Sequence, residues 1–273
     1  MTAETVAHRA AVEGWRRQRY EALRRETGWL SLAGLSWLRP GINRVGSDPD
    51  SEVVLPAGPP HAGTMTLDAD GIVADGSFIH GGVPAAGLRL ETDANGDPTM
   101  LELGALRLCA IERSGKPAIR TWDTESAALR DFDGIDHWPV DPAWRIAGRF
   151  EPTPGRTLSV PDVLGEIDEE ASPGDVAFEV DRVTYRLQGL EGGASGELWL
   201  VFADATNGRE TYGGGRFLYT DAPGADGSVV VDLNRAYNPP CVFSPYATCP
   251  LPWPENRLAI RVEAGERAFG DHD

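Results

Sequence analysis

Basic residues are scarce in this chain, and lysine is almost absent. The 273 residues hold 42 Asp and Glu against 25 Lys and Arg, which gives a net charge of −17, and Lys116 is the only lysine. Nucleic acids and anionic membrane surfaces are bound through clustered positive charge, and the sequence has no such cluster. The composition therefore predicts an acidic, well-solvated protein with no nucleic-acid and no membrane partner.

Cysteines and long apolar runs are equally scarce. Three cysteines, Cys109, Cys241 and Cys249, are too few and odd in number for a disulfide scaffold, so free thiols in a reducing compartment are expected. No stretch approaches the roughly 18 apolar residues that cross a bilayer. Residues 1–15 lack the apolar core of a signal peptide. These absences predict a cytoplasmic protein.

Turn-forming residues, in contrast, are abundant. The chain holds 32 Gly and 21 Pro, which is typical of many short strands joined by tight turns. Residues 3–26 are the exception, because they lack proline and repeat apolar residues at spacings of three and four. This pattern predicts one helix there, capped by Thr2 and stopped at Gly28.

Apolar segments broken by Gly, Pro, Asp or Asn predict strands over most of the remaining chain. Residues 175–190 indicate a hairpin that turns at Asp181-Arg182, 197–203 indicate a strand buried on both faces, and 258–263 indicate a last strand. Residues 113–141 lack this pattern and are predicted to be irregular. Segment 234–256 contains six prolines and is predicted to form a rigid, ordered loop.

Several long phrases of the sequence resemble a known family. They are GWLSLAGLSWL (28–38), GSDPDSEVVLP (46–56), TNGRETYGGGRFLY (206–219), VVDLNRAYNPPCVFSPYATCPLPWPENRL (230–258) and EAGER (263–267). Together they resemble DUF1684, a bacterial and archaeal family described as a domain of unknown function. The resemblance runs over nearly the whole chain, and it implies no assigned activity.

A second resemblance concerns residues 41–80, which are similar to the start of a forkhead-associated (FHA) β-sandwich. Phosphothreonine-reading FHA domains use a Ser-x-x-His turn, and no Ser stands three residues before His61, so phosphopeptide binding is not expected. The chain is thus predicted to be mainly β, with an N-terminal helix (1–28) and a small FHA-like β-sandwich (29–115). A larger antiparallel β barrel or sandwich (116–273) is predicted to carry the Pro-rich loop.

Three consecutive glycines precede an arginine in the segment Thr206–Arg216. Such glycines can turn backbone N–H groups towards one anion, with Arg209 and Arg216 adding charge. The alternative is a turn in which close packing excludes a Cβ atom. A second polar group follows an apolar strand at Asp232, Asn234, Arg235 and Tyr237, and it either holds the Pro-rich loop or faces a ligand.

Candidate catalytic residues are few. A thiolate nucleophile would be Cys241, although the spacing of Cys241 and Cys249 matches no zinc site and free cysteines are usually buried apolar residues. His137, beside Asp136, is the first choice among five histidines for proton transfer. A solvated turn is the alternative for that segment. Ser244 lacks the motif of a serine hydrolase and is a weak nucleophile candidate.

The sequence alone does not identify a reaction. The leading hypothesis is a cytosolic enzyme acting on a small anionic molecule, without metal or cofactor, and with homo-oligomerisation left open. The alternatives are a non-catalytic ligand-binding protein and a protein-interaction module. The candidate catalytic residues are Cys241 and His137, and the candidate ligand-binding residues are Arg209, Tyr212, Gly213, Gly214, Gly215, Arg216, Asn234, Arg235, Tyr237, Ser244 and Tyr246.

Overall fold

The structure is a computed structural model that describes residues 2–193 and 196–270. It is mainly β, with 44% of residues in strands and 15% in helices. The described residues divide into two compact units. The first unit comprises Glu21–Phe132 and Ser244–Ala247, and the second comprises the residues up to Tyr20, Asp133–Phe243 and those from Thr248 onward. The predicted borders near 28 and 115 remain a prediction.

The N-terminal helix α1 spans Ala3–Leu23, close to the predicted 3–26. Thr2 caps it, because the Thr2 hydroxyl accepts a hydrogen bond of 3.2 Å from the Thr5 N–H. Beyond Leu23 the chain closes in turns, in which the Gly28 N–H donates to the Arg25 carbonyl at 2.8 Å. No helix within the described ranges combines the length and apolar character needed to cross a bilayer.

The first unit contains two sheets, with strand orders β1-β11-β10-β9-β6-β7 and β3-β2-β4-β5-β8. Every pair is antiparallel except β2 with β3. Residues of both sheets, such as Met65 and Leu108, share one apolar core, as in a sandwich. The strands are β1 (Leu32–Trp37), β2 (Gly41–Gly46), β3 (Val53–Val54), β4 (Gly63–Asp68), β5 (Gly71–Gly76), β6 (Ile79–His80), β7 (Val83–Pro84), β8 (Leu88–Leu90), β9 (Leu101–Leu103), β10 (Leu106–Arg113) and β11 (Lys116–Asp123).

The irregular structure predicted for 113–141 was wrong at its start. Strand β11 lies there, between β1 and β10, and its residues from Ala118 to Trp122 are all buried. Because both faces and both edges of β11 are covered, the strand does not alternate between apolar and polar residues. A short helix, α2 (Ala127–Asp131), follows and is capped by the Ser126 hydroxyl.

The second unit contains one antiparallel sheet, with strand order β16-β15-β14-β13-β12-β17. The predicted hairpin is confirmed, because Asp181 and Arg182 join β13 to β14 with φ of 52° and 66°. Strand β15 is interior and mostly buried, as predicted for 197–203. The strands are β12 (Arg145–Pro161), β13 (Ile167–Val180), β14 (Val183–Glu191), β15 (Leu198–Phe202), β16 (Arg216–Thr220) and β17 (Ser228–Asp232).

The strand predicted for 258–263 was wrong. The Leu258 N–H donates to the Ala203 carbonyl at 2.8 Å, but the segment then leaves the ladder. Beyond it, the Val262 N–H donates to the Asp204 carboxylate at 3.2 Å, and the Val262 carbonyl accepts from the Arg216 guanidinium at 3.0 Å. Side chains therefore satisfy the backbone groups that a neighbouring strand would otherwise pair.

Candidate functional site

Arg216, a predicted anion ligand, opens β16 and has no exposed surface. Its guanidinium pairs with the Asp204 carboxylate at 2.6 Å and donates to the carbonyls of Val262 and Ala264 at 3.0 and 2.5 Å. Burial lowers the pKa of Arg216 from its usual value, and the Asp204 charge opposes that shift. Arg216 thus holds residues 262–264 in place, and both of its terminal nitrogens are hydrogen-bonded.

The glycine triplet lies between β15 and β16. Gly215 has φ of +92°, and a Cβ atom there would stand 2.7 Å from Pro252 Cγ and 2.8 Å from the Phe202 carbonyl oxygen. A Cβ on Gly214 would meet the Tyr212 ring at 2.4 Å, whereas Gly213 is exposed. The Gly215 N–H donates to the Tyr212 carbonyl at 3.1 Å. Close packing, the alternative considered for this turn, accounts for Gly214 and Gly215.

Tyr237 belongs to a second buried network. Glu266 is fully buried and accepts hydrogen bonds from Arg19 of α1 at 2.5 Å and from the Asn238 N–H at 2.7 Å. The Arg19 guanidinium lies 4.4 Å from the centre of the Tyr237 ring, a cation–π contact. Burial raises the pKa of Tyr237 well above its usual value. Gly265 adopts φ of +80° where a Cβ atom would stand 2.3 Å from the Ala236 carbonyl oxygen.

His137 lies beside this network and does not share a hydrogen bond with Cys241 among the described residues. Its Nδ1 contacts the Ile135 carbonyl at 2.7 Å and the Tyr20 hydroxyl at 3.5 Å. Burial, together with the charge of Arg16, lowers the pKa of His137 below its ordinary value of 6.5. The ring is therefore neutral near pH 7. The proton-transfer role of His137 stays a prediction.

Ser244 and Tyr246 belong to the first unit, whereas the other candidate residues belong to the second. The Ser244 hydroxyl is buried and donates to the Leu32 carbonyl at 2.8 Å. Tyr246 is 39% exposed, and its backbone N–H donates to the Ser244 hydroxyl at 3.3 Å. Arg209 is exposed in the second unit, in the turn that begins at Thr206.

Cys241 lies in a 3-10 turn of the Pro-rich segment and is half-buried, whereas Cys249 is buried. The Cys241 N–H donates to the Cys249 sulfur at 3.1 Å, and the side chains of Cys249 and Tyr212 both hydrogen-bond to the Cys241 thiol. The contact with Cys249 is the main cause of a lowered pKa of Cys241. The structure thus brings together Cys241, a candidate catalytic residue, and Tyr212, a candidate ligand-binding residue.

Arg235 lines a cavity of about 520 Å³ that the sequence analysis did not identify. One wall is the face of α1 that carries His8. The opposite wall is formed by Arg145 at the start of β12 and by the 3-10 turn Leu233–Arg235. The lining residues are Glu4, Thr5, Ala7, His8, Ala11, Pro142, Arg145 and Arg235. Arg145 and Arg235 also line a second cavity of about 70 Å³, next to Tyr219 and Asp232.

Asp232 is the register partner of Arg145 and lies near Arg235, but its oxygens are already hydrogen-bonded. Oδ2 contacts His8 Nε2 at 2.7 Å, and Oδ1 accepts from the Asn234 amide at 2.9 Å. Asn234 is buried and also exchanges two bonds of 2.9 Å with the backbone of Asp141, which fixes the turn. Arg235 Nε stands 3.8 Å from Asp232 Oδ2 and makes no hydrogen bond with the described residues.

The candidate residues on these cavities that sequence reasoning missed are His8, Arg145 and Tyr219. His8 and Asp232 lie 224 positions apart, so no local pattern joins them. The signal that was present is the pairing of β12 with β17, whose register places Arg145 opposite Asp232. A correct alignment of these two strands would have brought Arg145 to the polar end of β17.

The sequence model of the family described as "Protein of unknown function (DUF1684)" matches residues 130–267, just over half of the chain. The chain belongs to this DUF1684 family. The matched region contains Asp204, Arg216 and Glu266 of the buried networks, as well as Arg145 and Arg235 of the cavity. His8 and Arg19 of α1 lie outside it, as does most of the first unit.

One solved structure similar to this chain is the solution NMR structure of an uncharacterized protein of Haloarcula marismortui. The two sequences are 28% identical, and the similarity covers 52% of this chain and 80% of that chain with a TM-score of 0.44. No curated protein matches the chain. DUF1684 membership therefore fixes the family without assigning an activity.

Proposed function

We propose that this DUF1684 protein binds a small anionic molecule in the cavity between α1 and the ends of β12 and β17. The observation that carries the proposal is a pair of arginines on one cavity, neither of which donates a hydrogen bond to a carboxylate among the described residues. The Arg145 guanidinium has no ion pair or hydrogen bond among the residues that the structure describes, and Arg235 has only the 3.8 Å contact with Asp232. In a chain with 42 acidic residues, two such arginines on one cavity support an anion site.

The neighbouring carboxylate does not cancel this charge. Asp232 is only 12% exposed and already accepts hydrogen bonds from His8 and Asn234. Its contact with Arg235 is too long for a hydrogen bond, and Glu4 is exposed to solvent. The guanidiniums of Arg145 and Arg235 therefore lack a hydrogen-bonded carboxylate among the described residues, and guanidiniums match carboxylate and phosphate oxygens in geometry.

The walls indicate the rest of the ligand. Ala7, Ala11 and Pro142 give the larger cavity an apolar side, and its volume lies within the range of small-molecule sites. A small organic molecule with a carboxylate or phosphate group fits both properties. Such a ligand places its anionic group between Arg145 and Arg235 and its carbon skeleton against α1.

The proposal is tested by thermal unfolding in the presence of two probes, inorganic phosphate and citrate, against sodium chloride at matched ionic strength. A ligand that binds only the folded state raises the free energy of unfolding by about 2.7 kcal/mol at a concentration of 100 Kd. We therefore expect a rise in Tm with either probe. The double variant Arg145→Ala/Arg235→Ala should lose that rise. Native mass spectrometry of the purified protein then tests whether it carries an anion of its own.

Two single variants serve as controls. Arg149→Ala removes an exposed arginine from the same strand, β12, and should retain the response. Arg209→Ala removes the exposed arginine of the glycine turn, where the sequence analysis predicted the anion. A response lost in Arg209→Ala and kept in the double variant would move the site to the glycine turn. If the double variant keeps the wild-type rise in Tm with phosphate and with citrate, and retains any co-purified anion, the cavity site is refuted.

An enzyme is the second candidate function, and the contact of His8 with Asp232 favours it. A carboxylate 2.7 Å from an imidazole nitrogen fixes the orientation of the ring, as a general acid–base residue requires. If the anion is a substrate, His8→Asn should stop its conversion while Arg145 and Arg235 still hold it. Mass spectrometry of the anion before and after incubation with each protein measures this difference.

A further inference from the structure

Cys241 and Cys249 form a compact thiol pair that the anion cavity does not use. They are eight positions apart in the Pro-rich segment, and both belong to the second unit. The Cys241 N–H donates to the Cys249 sulfur at 3.1 Å, and the Cys249 side chain hydrogen-bonds to the Cys241 thiol. Each cysteine therefore has the other sulfur in its immediate surroundings.

The two thiols differ in access. Cys241 is half-buried, whereas Cys249 is only 2% exposed, so a small reagent from solvent meets Cys241 first. The Cys241 sulfur is further contacted by the Tyr212 hydroxyl and by the backbone N–H of Val242. These hydrogen bonds lower the pKa of Cys241, so more of it is thiolate, the reactive form.

Cys109 shows that these surroundings are specific to the pair. It is buried in β10 of the first unit, and burial raises its pKa to about 11. A thiol of that kind is inert towards oxidants because it is neither accessible nor ionised. The chain thus contains its own unreactive control.

We infer that Cys241 and Cys249 are a reversible redox site, in which Cys241 reacts with a peroxide and Cys249 resolves the product as a disulfide. The Cys241 thiolate attacks one oxygen of hydrogen peroxide and the O–O bond breaks. The peroxide releases hydroxide, and Cys241 becomes a sulfenic acid. The Cys249 thiol then attacks the Cys241 sulfur. The S–S bond forms, the S–O bond breaks, and water leaves with the thiol proton. Two thiols lose two electrons, and one peroxide becomes two waters.

Reduction reverses the reaction through thiol–disulfide exchange with a low-molecular-weight dithiol. Tyr212 is a positioning residue in this scheme. Burial and contact with Cys241 raise the pKa of Tyr212 well above its usual value, so its hydroxyl stays a neutral donor to the thiolate. Loss of that hydroxyl should slow oxidation about fivefold, the effect of one hydrogen bond, and should raise the pH at which Cys241 becomes reactive.

The test oxidises the full-length, fully reduced protein with stoichiometric hydrogen peroxide, alkylates the remaining thiols and digests the chain with trypsin. Both cysteines fall in the peptide 236–257. We expect that peptide to lose two hydrogen atoms and escape alkylation, while Cys109 is alkylated in full after unfolding. A dithiol should restore both alkylation sites. An unchanged 236–257 peptide, or oxidation of Cys109 at the same rate, would overturn the inference.

Three variants separate the roles. In Cys249→Ser, which keeps an acceptor for the Cys241 N–H, dimedone should trap a sulfenic acid on Cys241. In Cys241→Ser, Cys249 should stay reduced. Tyr212→Phe should slow the reaction and shift its pH profile upward, which a purely structural role would not do. A sulfenic acid trapped on Cys249 in Cys241→Ser, with none on Cys241 in Cys249→Ser, would reverse the assignment. An unshifted pH profile in Tyr212→Phe would remove Tyr212 from the scheme.

Discussion

Arg216 lies at the start of β16 with no exposed surface, whereas Arg235 follows β17 with 37% of its side chain exposed. Both lie in the region that the family model matches, and both were predicted to bind a ligand. The terminal nitrogens of Arg216 donate hydrogen bonds to the Asp204 carboxylate and to the carbonyls of Val262 and Ala264. Arg235 keeps its guanidinium on a cavity. The structure thus separates an arginine that holds the fold from one that lines a cavity, and their hydrogen-bond partners make the difference.

The first test of this comparison removes the carboxylate partner of the buried Arg216. Asp204→Ala leaves the Arg216 charge buried without its partner, so we expect the free energy of unfolding to fall by about 3–5 kcal/mol. Urea denaturation measures it. Glu179→Ala, which removes an exposed carboxylate from β13, should change stability by no more than about 0.5 kcal/mol.

The double variant Asp204→Ala/Arg216→Met identifies the cause. It removes both charges, so it should recover part of the stability that Asp204→Ala loses. A loss below about 1 kcal/mol in Asp204→Ala would mean that Arg216 is not held by this pair, and it would return Arg216 to the set of available ligand residues.

The glycine triplet gives the next largest effect. Gly215→Ala forces a side chain into φ of +92° and into contact with Pro252 and Phe202, so we expect a loss of about 1–3 kcal/mol. Gly213→Ala is the matched control, because its nearest atom, Gly208 Cα, is 3.7 Å away. Thermal unfolding with and without phosphate measures both. Weaker phosphate binding in Gly213→Ala would support the anion role first predicted for this turn.

His137 sharpens the comparison from the side of the Glu266 network. Its pKa in the folded state is lowered by burial, so the unfolded state binds the proton more tightly. Stability contributed by the neutral ring is fully present above the ordinary pKa of 6.5, declines below it, and is lost as the pH falls through the lowered folded-state pKa. His137→Gln should therefore flatten the decline in Tm between pH 7 and lower pH.

The control for this pH effect is His61→Gln, which changes an exposed histidine and should keep the wild-type slope. The Tm of the three proteins is compared across one buffer series. Equal slopes in wild type and His137→Gln would show that other groups set the pH dependence. They would also show that burial does not lower the pKa of His137.

Local rules explain what the sequence predicted correctly. Helix α1, the hairpin turn at Asp181-Arg182 and the buried strand β15 each depend on residues close together in the chain. The errors have non-local causes. Strand β11 does not alternate because both of its faces are buried. Residues 258–263 leave the ladder where the Arg216 side chain bonds the carbonyls of Val262 and Ala264, 46 and 48 positions away.

The candidate site follows the same division. Sequence composition predicted polar residues after β17, and the structure places Arg235 on a cavity and brings Cys241 to Tyr212. It could not predict that α1 supplies His8, because the contact with Asp232 spans 224 positions. The roles of these residues stay predictions until the variants are measured.

The smallest expected change in stability is the sharpest test of the binding side. Arg145 is exposed and has no ion pair among residues 2–193 and 196–270, so Arg145→Ala should alter the free energy of unfolding by no more than about 0.5 kcal/mol. The same variant should weaken phosphate or citrate binding at least about tenfold, since one bidentate charged contact contributes about 1.5–3 kcal/mol. Isothermal titration calorimetry measures the affinity, and urea denaturation measures the stability. A variant that loses stability while keeping its affinity would place Arg145 with Arg216, among the arginines that hold the fold.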